Sequence, residues 1–284
     1  MYVVSYFTDA DEALHLAYSH DGVEFATVND GRPVLHGTVG TGRLRDPFIG
    51  VGPDGLFHLL ATDGWTSPYI VHTTSTDLVN WSEQRLIPVM APVTGALNAW
   101  APEFFLDRRT GLYHLIWSSV VEPGGTAEGR DFEHISQDHR IWHCTTEDFL
   151  TFSAPRVFFD PGHSVIDATV REAAGGGFLM AFKDERGVND RATAHKDIHV
   201  TTFEVPGGPY TAPKGPVSPT LAEGPSLFRR GDEWVMIYDR FLEAGYGAAR
   251  SDYGLDWQPI SLSLPPGMRH ASVLETAVPS SLAP

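Results

Sequence analysis

The sequence contains a single cysteine, Cys144, among its 284 residues. One thiol cannot form an internal disulfide, and it excludes zinc modules that bind the metal through several cysteines. Its neighbours, Ile-Trp-His-Cys-Thr-Thr, predict a strand, so we interpret Cys144 as a buried, unreactive thiol rather than a nucleophile. No apolar run approaches the ~20 residues of a membrane span, so we expect no membrane partner.

Basic residues are also scarce, because 20 Lys and Arg stand against 36 Asp and Glu, for a formal net charge of −16. A protein that binds nucleic acid needs a basic face to neutralise phosphates, so we do not expect that function. The start of the chain lacks the basic segment and cleavage site of a secretory signal. A cytoplasmic location is therefore favoured, unless a leader precedes this sequence.

Charged residues make up only 20% of the chain, whereas Gly (28) and Pro (21) are frequent. This composition argues against coiled coils and long helical bundles and favours short strands joined by tight turns. The 16 Phe, 9 Tyr and 7 Trp support the same fold class, because aromatic side chains fit a pleated, half-buried surface. We predict an all-β protein.

Three patterns each recur five times, which indicates a repeated structural unit. The first is Ser or Thr, then an acidic residue, then an aromatic one, at Ser19–Phe25, Ser75–Trp81, Thr146–Phe152, Thr201–Tyr210 and Ser251–Trp257. The second is a strand of aromatic and aliphatic residues, at Tyr2–Phe7, Leu56–Ala61, Leu112–Trp117, Phe178–Phe182 and Trp234–Tyr238. The third is a short apolar run opened by a polar or small residue, beginning at Asp46, Ala101, Asp167, Glu223 and His270.

The repeat length is about 57 residues, a fifth of the chain, and a strand-only repeat of this length predicts a β-propeller. We therefore predict one domain, residues 1–284, that forms a five-bladed β-propeller. The chain starts with a second-strand copy and ends with a first-strand copy. The ring is then closed by pairing of the N- and C-terminal strands in one blade, which removes an exposed sheet edge.

The first strand of each blade lines the axis of a propeller, so the residues that open these strands meet at one mouth of the channel. Three of them are carboxylates, Asp46, Asp167 and Glu223. Unpaired carboxylates are costly to bury, and three around one axis indicate a site in which their pKa values are driven apart. The alternative for each one alone is a turn cap beside Pro or Gly.

These residues lie in five stretches that together resemble glycoside hydrolase family 43, the five-bladed propellers of the arabinosidase, xylosidase and arabinanase group. The stretches are Arg45–Ile49, Trp100–Glu103, Val165–Ala168, Glu223–Pro225 and Arg269–Ser272. They occur in the family's order, one per blade, over nearly the whole chain. Two departures are Ile-Asp-Ala in place of Ile-Asp-Pro in the third blade and the missing Gly before His in the fifth.

The resemblance implies a role for each of these positions. Asp46 corresponds to the general base, Glu223 to the general acid, and Asp167 to the residue that orients the acid and tunes its pKa. His270 corresponds to a histidine on the axis near a bound cation or water cluster. The resemblance thus implies no required cofactor, but a possible structural calcium or sodium ion on the axis.

An inverting hydrolase needs its two carboxyl groups roughly 6.5–9.5 Å apart, so that a water fits between the base and the sugar. Carboxylates on the first and fourth blades can provide this gap. We expect an ionised Asp167 to raise the pKa of Glu223 and keep it protonated near neutral pH. The predicted function is an inverting, exo-acting glycoside hydrolase that removes terminal furanosyl or pentosyl residues from a carbohydrate. The chain start and Lys183-Asp184-Glu185 resemble members acting on terminal arabinofuranose or galactofuranose.

Two other functions remain open. A retaining, fructan-active propeller also carries Arg-Asp-Pro, but its Trp-x-Asn-Asp-Pro nucleophile motif is missing here. A non-catalytic glycan-binding propeller would be expected to lose one of the three carboxylates.

The substrate-binding candidates are Trp100, Arg45, Lys183, Trp65 and Asn98. A Trp at the rim of a propeller can stack on a sugar, although it is more often part of the core, and Lys183 can pair with Asp167, bind a sugar hydroxyl or lie in solvent.

Two long polar stretches, 122–140 and 185–196, are predicted pocket walls suited to exo attack. His195 and His199 lie four residues apart but without a helical HExxH pattern, so zinc is not favoured. We expect a monomer or a weak homo-oligomer.

Overall fold

The computed structural model describes residues 1–124, 137–190, 192–243 and 245–276. Within these ranges the chain forms nineteen strands in five antiparallel sheets, and the one helical segment is a 3₁₀ turn at Asn29–Gly31. No helix in this part of the chain has the length and apolar character needed to cross a membrane.

Each sheet is one blade, with its strands in chain order from the axis outwards except in the fifth. The first blade contains β4 (Arg45–Val51), β5 (Phe57–Thr62), β6 (Ile70–Ser75) and β7 (Arg85–Ile87). The second contains β8 (Trp100–Asp107), β9 (Leu112–Ser119), β10 (Arg140–Thr146) and β11 (Arg156–Phe159). The third contains β12 (Val165–Glu172), β13 (Phe178–Asp184) and β14 (Ile198–Phe203). The fourth contains β15 (Glu223–Arg230), β16 (Glu233–Arg240), β17 (Gly245–Ser251) and β18 (Gln258–Ile260). The fifth contains β19 (Arg269–Glu275), β1 (Tyr2–Phe7), β2 (His15–Ser19) and β3 (Ala26–Thr27).

The innermost strands of the five blades form a ring around the axis, because β4, β8, β12, β15 and β19 each contact the next and β19 contacts β4. The fifth sheet joins the two ends of the described chain, since β19 pairs with β1 from Glu275 opposite Tyr2 to Arg269 opposite Phe7. The predicted five-bladed, all-β propeller and its mode of closure are confirmed.

The hydrophobic core is divided among the five interfaces between blades. One cluster packs Phe48 and Leu60 of the first blade against Phe104 and Leu115 of the second, and four further clusters fill the other interfaces. Successive residues of a strand point to opposite faces of its sheet, so the apolar runs of the second strands supply both neighbouring interfaces. This is why these runs are continuously hydrophobic rather than alternating.

In the four blades that have a fourth strand, the Ser/Thr–acidic–aromatic repeat forms the turn between the third and fourth strands. In the first blade Ser75 Oγ donates to Asp77 Oδ1 at 3.1 Å, and the same oxygen accepts the backbone N–H groups of Val79 (2.9 Å) and Asn80 (2.7 Å). The third strands run from the mouth at which the inner strands begin to the opposite face of the ring. The most regular sequence repeat is therefore structural and lies far from the carboxylates.

Candidate active site

All five inner strands begin with the same backbone irregularity. One residue near the start of each strand has a left-handed φ: Asp46 (+48°), Ala101 (+48°), Asp167 (+57°), Gly224 (+53°) and His270 (+36°). The pairing register with the neighbouring second strand shifts at each of these points, which is the signature of a β-bulge. We call these five residues the bulge positions. A bulge redirects side chains, and here it does so at the mouth of the axis.

The residue before each bulge position also faces this mouth. These pre-bulge positions are Arg45, Trp100, Ile166, Glu223 and Arg269, and all five line one pocket of about 570 Å³. The bulge positions add Asp46, Asp167 and His270 to the same pocket. The second and fourth blades carry Ala101 and Gly224 there, so the fourth blade contributes its carboxylate, Glu223, from the pre-bulge position.

The backbone N–H groups of the bulge positions are satisfied largely from the preceding blade. Ala101 N donates to Thr62 Oγ1 at 2.8 Å, and Asp167 N donates to Ser118 Oγ at 3.0 Å. His270 N donates to Asp239 Oδ2 at 3.2 Å. Thr62, Ser118 and Asp239 occupy equivalent places, each paired with the pre-bulge residue of its own blade. Buried N–H groups need acceptors, so these side chains hold the bulges in place.

The third blade breaks this rule, because Lys183 occupies the equivalent place, opposite Ile166. An ammonium has no lone pair to accept a hydrogen bond. The N–H of Gly224 instead donates to Asp167 Oδ2 at 3.1 Å, so the carboxylate of one bulge position supports the next blade. Gly224 is required here, since a Cβ would lie 2.9 Å from the His270 ring.

Asp46, His270 and Asp167 form a charged cluster on the axis. His270 Nδ1 lies 3.5 Å from Asp46 Oδ1 and 4.0 Å from Asp167 Oδ2, and Thr62 Oγ1 donates to Asp46 Oδ2 at 2.7 Å. Burial lowers the pKa of His270, but Asp46 and Asp167 outweigh it and the net pKa is raised. Burial raises the pKa of Asp167 to about 6, against the opposing charges of His270 and Lys183.

Glu223 lies between two cations. Lys183 Nζ is 2.9 Å from Glu223 Oε2, and Arg269 Nη2 is 3.5 Å from Glu223 Oε1. Burial alone raises the pKa of Glu223, but the charge and hydrogen bond of Lys183, with smaller contributions from His270 and Arg269, bring it below its ordinary value. The structure therefore differs from the expectation that Asp167 keeps Glu223 protonated, because the sequence did not reveal where the Lys183 ammonium lies.

Trp65, Trp100 and Arg45 form one side of the pocket. The Trp100 indole N–H donates to the Trp65 carbonyl at 2.8 Å, and the two rings meet edge to face at 5.8 Å. The Arg45 guanidinium lies 4.2 Å from the centre of the Trp65 ring and pairs with Glu12. Trp65 is 39% exposed whereas Trp100 is 8% exposed, so Trp65 offers the larger apolar face to a ligand.

Asn98 is not placed in the pocket. Its side chain is fully buried, its Oδ1 accepts Val120 N at 2.8 Å, and its carbonyl accepts Ser119 Oγ. It fixes the backbone ahead of β8 rather than facing a ligand.

The segment 185–196 contributes Glu185, Gly187, Val188, Asn189 and Lys196 to the pocket wall. Of the other predicted wall, 122–140, residues 125–136 lie outside the described ranges, and Gln137 lines the pocket.

The axial residues do not fit direct ligation of a cation. His270 Nδ1 faces two carboxylates whose charges favour the imidazolium, which has no lone pair for a metal. In the described ranges no group of three or more His, Cys, Asp or Glu side chains is arranged to hold a metal ion. A calcium or sodium ion held through water stays a prediction, and no step below depends on it.

Two site residues, Arg269 and Asp239, were not assigned a role from the sequence. Arg269 Nε donates to Asp239 Oδ2 at 2.8 Å, and Asp239 is 1% exposed. Burial, followed by the charge of Glu223, raises the pKa of Asp239 to about 7. Arg269 directly precedes His270, just as Arg45 directly precedes Asp46. The repeat could therefore have predicted that Arg269 lies in the pocket. Asp239 could have been found as the counterpart of Thr62 at the end of a second strand.

Comparisons with known proteins identify the family of this chain. The family model for a probable glycosyl hydrolase domain, in the group related to glycoside hydrolase family 43, matches residues 1–278. An alpha-L-arabinofuranosidase of Bifidobacterium longum subsp. longum is 30% identical over 224 residues, which is 70% of this chain. The match spans only 20% of that relative's length.

Solved structures share the fold. A thermostable family-43 glycoside hydrolase superposes with a TM-score of 0.63 at 19% identity, over 83% of this chain and 80% of the other. An alpha-L-arabinofuranosidase from Lactobacillus brevis gives a TM-score of 0.59 at 16% identity, over 82% and 74% of the two chains. An exo-beta-1,3-galactanase from Phanerochaete chrysosporium gives 0.56 at 14% identity, over 80% and 52%. With the family match over residues 1–278, the chain belongs to the glycosyl hydrolases related to glycoside hydrolase family 43.

Proposed function

We propose that this domain is an inverting, exo-acting glycosidase that removes terminal α-L-arabinofuranosyl residues from a carbohydrate. The observation that carries the proposal is that Asp46, Asp167 and Glu223 all line one pocket at the bulged starts of the inner strands. Gln137 and residues of the segment 185–196 form walls of this pocket of about 570 Å³, and such walls support attack on a terminal sugar. The β-D-galactofuranoside is the second substrate candidate.

In the proposed reaction Glu223 is the general acid and Asp46 the general base. Asp46 takes a proton from a water as the water oxygen attacks the anomeric carbon. The glycosidic C–O bond breaks, and Glu223 gives its proton to the departing oxygen. The two carboxylates come from the first and fourth blades, and the strand that carries His270 lies between those blades. They are thus not on neighbouring strands, which suits the wider spacing of an inverting pair.

Asp167 is the proposed positioning residue of this pair. It accepts the N–H of Gly224, the residue after Glu223, and it faces the imidazole of His270. It therefore holds the peptide that presents the acid and links it to the base through His270. Trp65, Trp100 and Arg45 are proposed to contact the sugar.

The substrate proposal rests on the arabinofuranosidase relative, because the solved neighbours include enzymes named for other sugars. Hydrolysis of the 4-nitrophenyl glycosides of α-L-arabinofuranose, β-D-galactofuranose and β-D-xylose tests it. We expect the arabinofuranoside to have the highest kcat/KM. Preference for the xyloside would overturn the furanoside assignment.

Matched variants test the roles. Glu223→Gln and Asp46→Asn keep the shape of each side chain but remove its proton chemistry, so each should lower kcat by about 10²–10⁴-fold. Wild-type turnover by both would disprove the proposed roles. Proton NMR of the first-formed anomer reports the stereochemistry, and retention would show that the enzyme does not invert.

A further inference from the structure

Lys183 is buried, but it does not have the hydrogen-bonding role of its counterparts in the other blades. Thr62, Ser118 and Asp239, its counterparts in three other blades, each accept the N–H of the next bulge position. Lys183 cannot accept one, and Asp167 takes over that task for Gly224. The Lys183 side chain is nevertheless only 3% exposed. A buried ammonium is costly unless it is paired, so its partners should explain why a lysine stands at this place.

Two carboxylates contact the Lys183 ammonium. Its Nζ lies 2.9 Å from Glu223 Oε2 and 2.8 Å from Glu185 Oε2, and 4.7 Å from the centre of the Phe241 ring. Burial lowers the pKa of Lys183, but Glu223 and Glu185 outweigh it, so the pKa is raised and the group stays charged.

Glu185 in turn pairs with Lys196, and both side chains are 9% exposed. The carbonyl of Lys196 accepts the N–H groups of Leu221 (2.7 Å) and Ala222 (3.0 Å), the residues directly before Glu223. A closed circuit of contacts therefore runs from Glu223 through Lys183, Glu185 and Lys196 to the backbone of Ala222, the residue before Glu223. Glu185, at the start of the segment 185–196, is connected to Glu223 through Lys183. Lys196, at its end, is hydrogen-bonded to the backbone directly before Glu223. Both residues also line the pocket.

We propose that Glu185 is a positioning residue for the reaction, which, together with Lys196, holds the Lys183 ammonium and sets how strongly that ammonium binds the Glu223 carboxylate. This proposal rests on the assignment of Glu223 as the general acid. Glu185 acts through Lys183 and has no direct role in the chemistry.

The other charges around Glu223 are fixed by separate contacts. They are Arg269 and His270 on β19, Asp167 on β12, Asp239 on β16 and, beyond His270, Asp46 on β4. None of these residues contacts Glu185 or Lys196 in the ion pairs of the described chain. A change at Glu185 therefore tests the circuit without directly altering the axial cluster.

Removal of either charge should shift the titration of Glu223, in opposite directions. In Glu185→Gln, Lys183 loses one of its two carboxylates and the net local charge becomes more positive, so Glu223 should lose its proton at lower pH. In Lys183→Met the nearest cation is gone, and the pKa of Glu223 should rise by about 1–3 units. Lys196→Met should give a smaller rise.

The experiment uses two readouts on the full chain. The first is a ¹³C NMR titration of the Glu223 carboxyl without substrate, assigned by the signal that Glu223→Gln removes. The second is the limb of the kcat/KM profile set by Glu223, measured with the aryl arabinofuranoside, which should move to lower pH in Glu185→Gln and to higher pH in Lys183→Met. Glu147→Gln, an exposed change on the opposite face, is the matched control and should move neither.

An unchanged or upward shift of the Glu223 titration in folded Glu185→Gln would overturn the proposal. The isosteric Glu185→Gln alone is decisive if Lys183→Met does not fold. The NMR readout needs no activity, so it separates this inference from the proposed function. If Glu223→Gln keeps full turnover, the role of Glu223 as the acid fails, whatever the titration shows.

Discussion

The Thr62 hydroxyl donates a 2.7 Å hydrogen bond to Asp46 Oδ2 while it accepts the Ala101 N–H at 2.8 Å. One hydroxyl thus orients the proposed base and supports the bulge of the second blade. The hydroxyl donates its single proton to Asp46, and its oxygen accepts the hydrogen bond from the Ala101 N–H.

Thr62→Val should lower kcat/KM about tenfold, since it removes a hydrogen bond to a charged group worth about 1.5 kcal/mol and leaves the Ala101 N–H without its acceptor. Thr62→Ser keeps the hydroxyl and should retain most of the activity. Steady-state kinetics on the aryl arabinofuranoside measure both. Equal activity in the Val and Ser variants would show that this hydrogen bond does not matter for catalysis.

Gly224→Ala should damage both stability and activity. The position has φ +53°, and the new Cβ would lie 2.9 Å from the His270 ring. We expect a loss of about 1–2 kcal/mol from the left-handed conformation alone, plus the cost of moving the ring. Urea denaturation and kcat/KM measure the two effects.

Gly231→Ala is the control for this prediction. Gly231 has φ +61° with nothing within 4 Å of the added Cβ, and it lies in the β15–β16 turn on the face opposite the pocket. It should lose stability and keep activity. If Gly224→Ala behaved in the same way, the contact with His270 would not be functionally important.

The Asp167 carboxyl should titrate near pH 6. Its pKa is raised to about 6, chiefly by burial, against the charge of His270. Because His270 opposes the burial effect, His270→Asn should raise the Asp167 pKa further. A ¹³C NMR titration of the carboxyl, assigned by the signal that Asp167→Asn removes, measures both values. A titration that stays in place in His270→Asn, or moves to lower pH, would contradict the assignment.

The turn at Asp77 should stabilise the protein in a pH-dependent way. Hydrogen bonds from Asn80 and Val79, the first being the largest cause, lower the pKa of Asp77 to about 2. A depressed pKa contributes stability above the unfolded-state value of ~3.9, and this contribution is lost as the pH falls towards 2.

Asp77→Asn should therefore have a lower Tm than the wild type at pH 7, and the gap should narrow near pH 2. Thermal unfolding at both pH values measures it. Asp256→Asn, at a side chain that is 99% exposed, should show no gap at either pH. A gap for Asp77→Asn that persists near pH 2 would exclude the carboxylate as its source.

The sequence predicted the number of blades, their second strands and the three carboxylates, because each depends on a local pattern that the ring repeats. Leu112–Trp117 lies within β9, and Tyr2–Phe7 coincides with β1. The sequence placed Asp46 and Asp167 on the axis because each lies at the start of the first strand of its blade. This position does not depend on the other strands of the blade.

What the sequence could not predict depends on contacts between residues that lie far apart along the chain. One of the two partners of Lys183 is Glu223, 40 residues away, so the sequence left open whether the ammonium meets Asp167, a sugar or solvent. Asn98 was predicted to bind substrate, yet its side chain is buried and its Oδ1 accepts a hydrogen bond from the backbone N–H of Val120. The direction of the Glu223 pKa shift could not be predicted either, because it depends on the position of the Lys183 ammonium.

The strand that closes the ring is also the last described strand of the chain, and it carries Arg269 and His270. Formation of the pocket is therefore coupled to closure of the ring, because the axial imidazole meets Asp46 and Asp167 on the strand that pairs with β1.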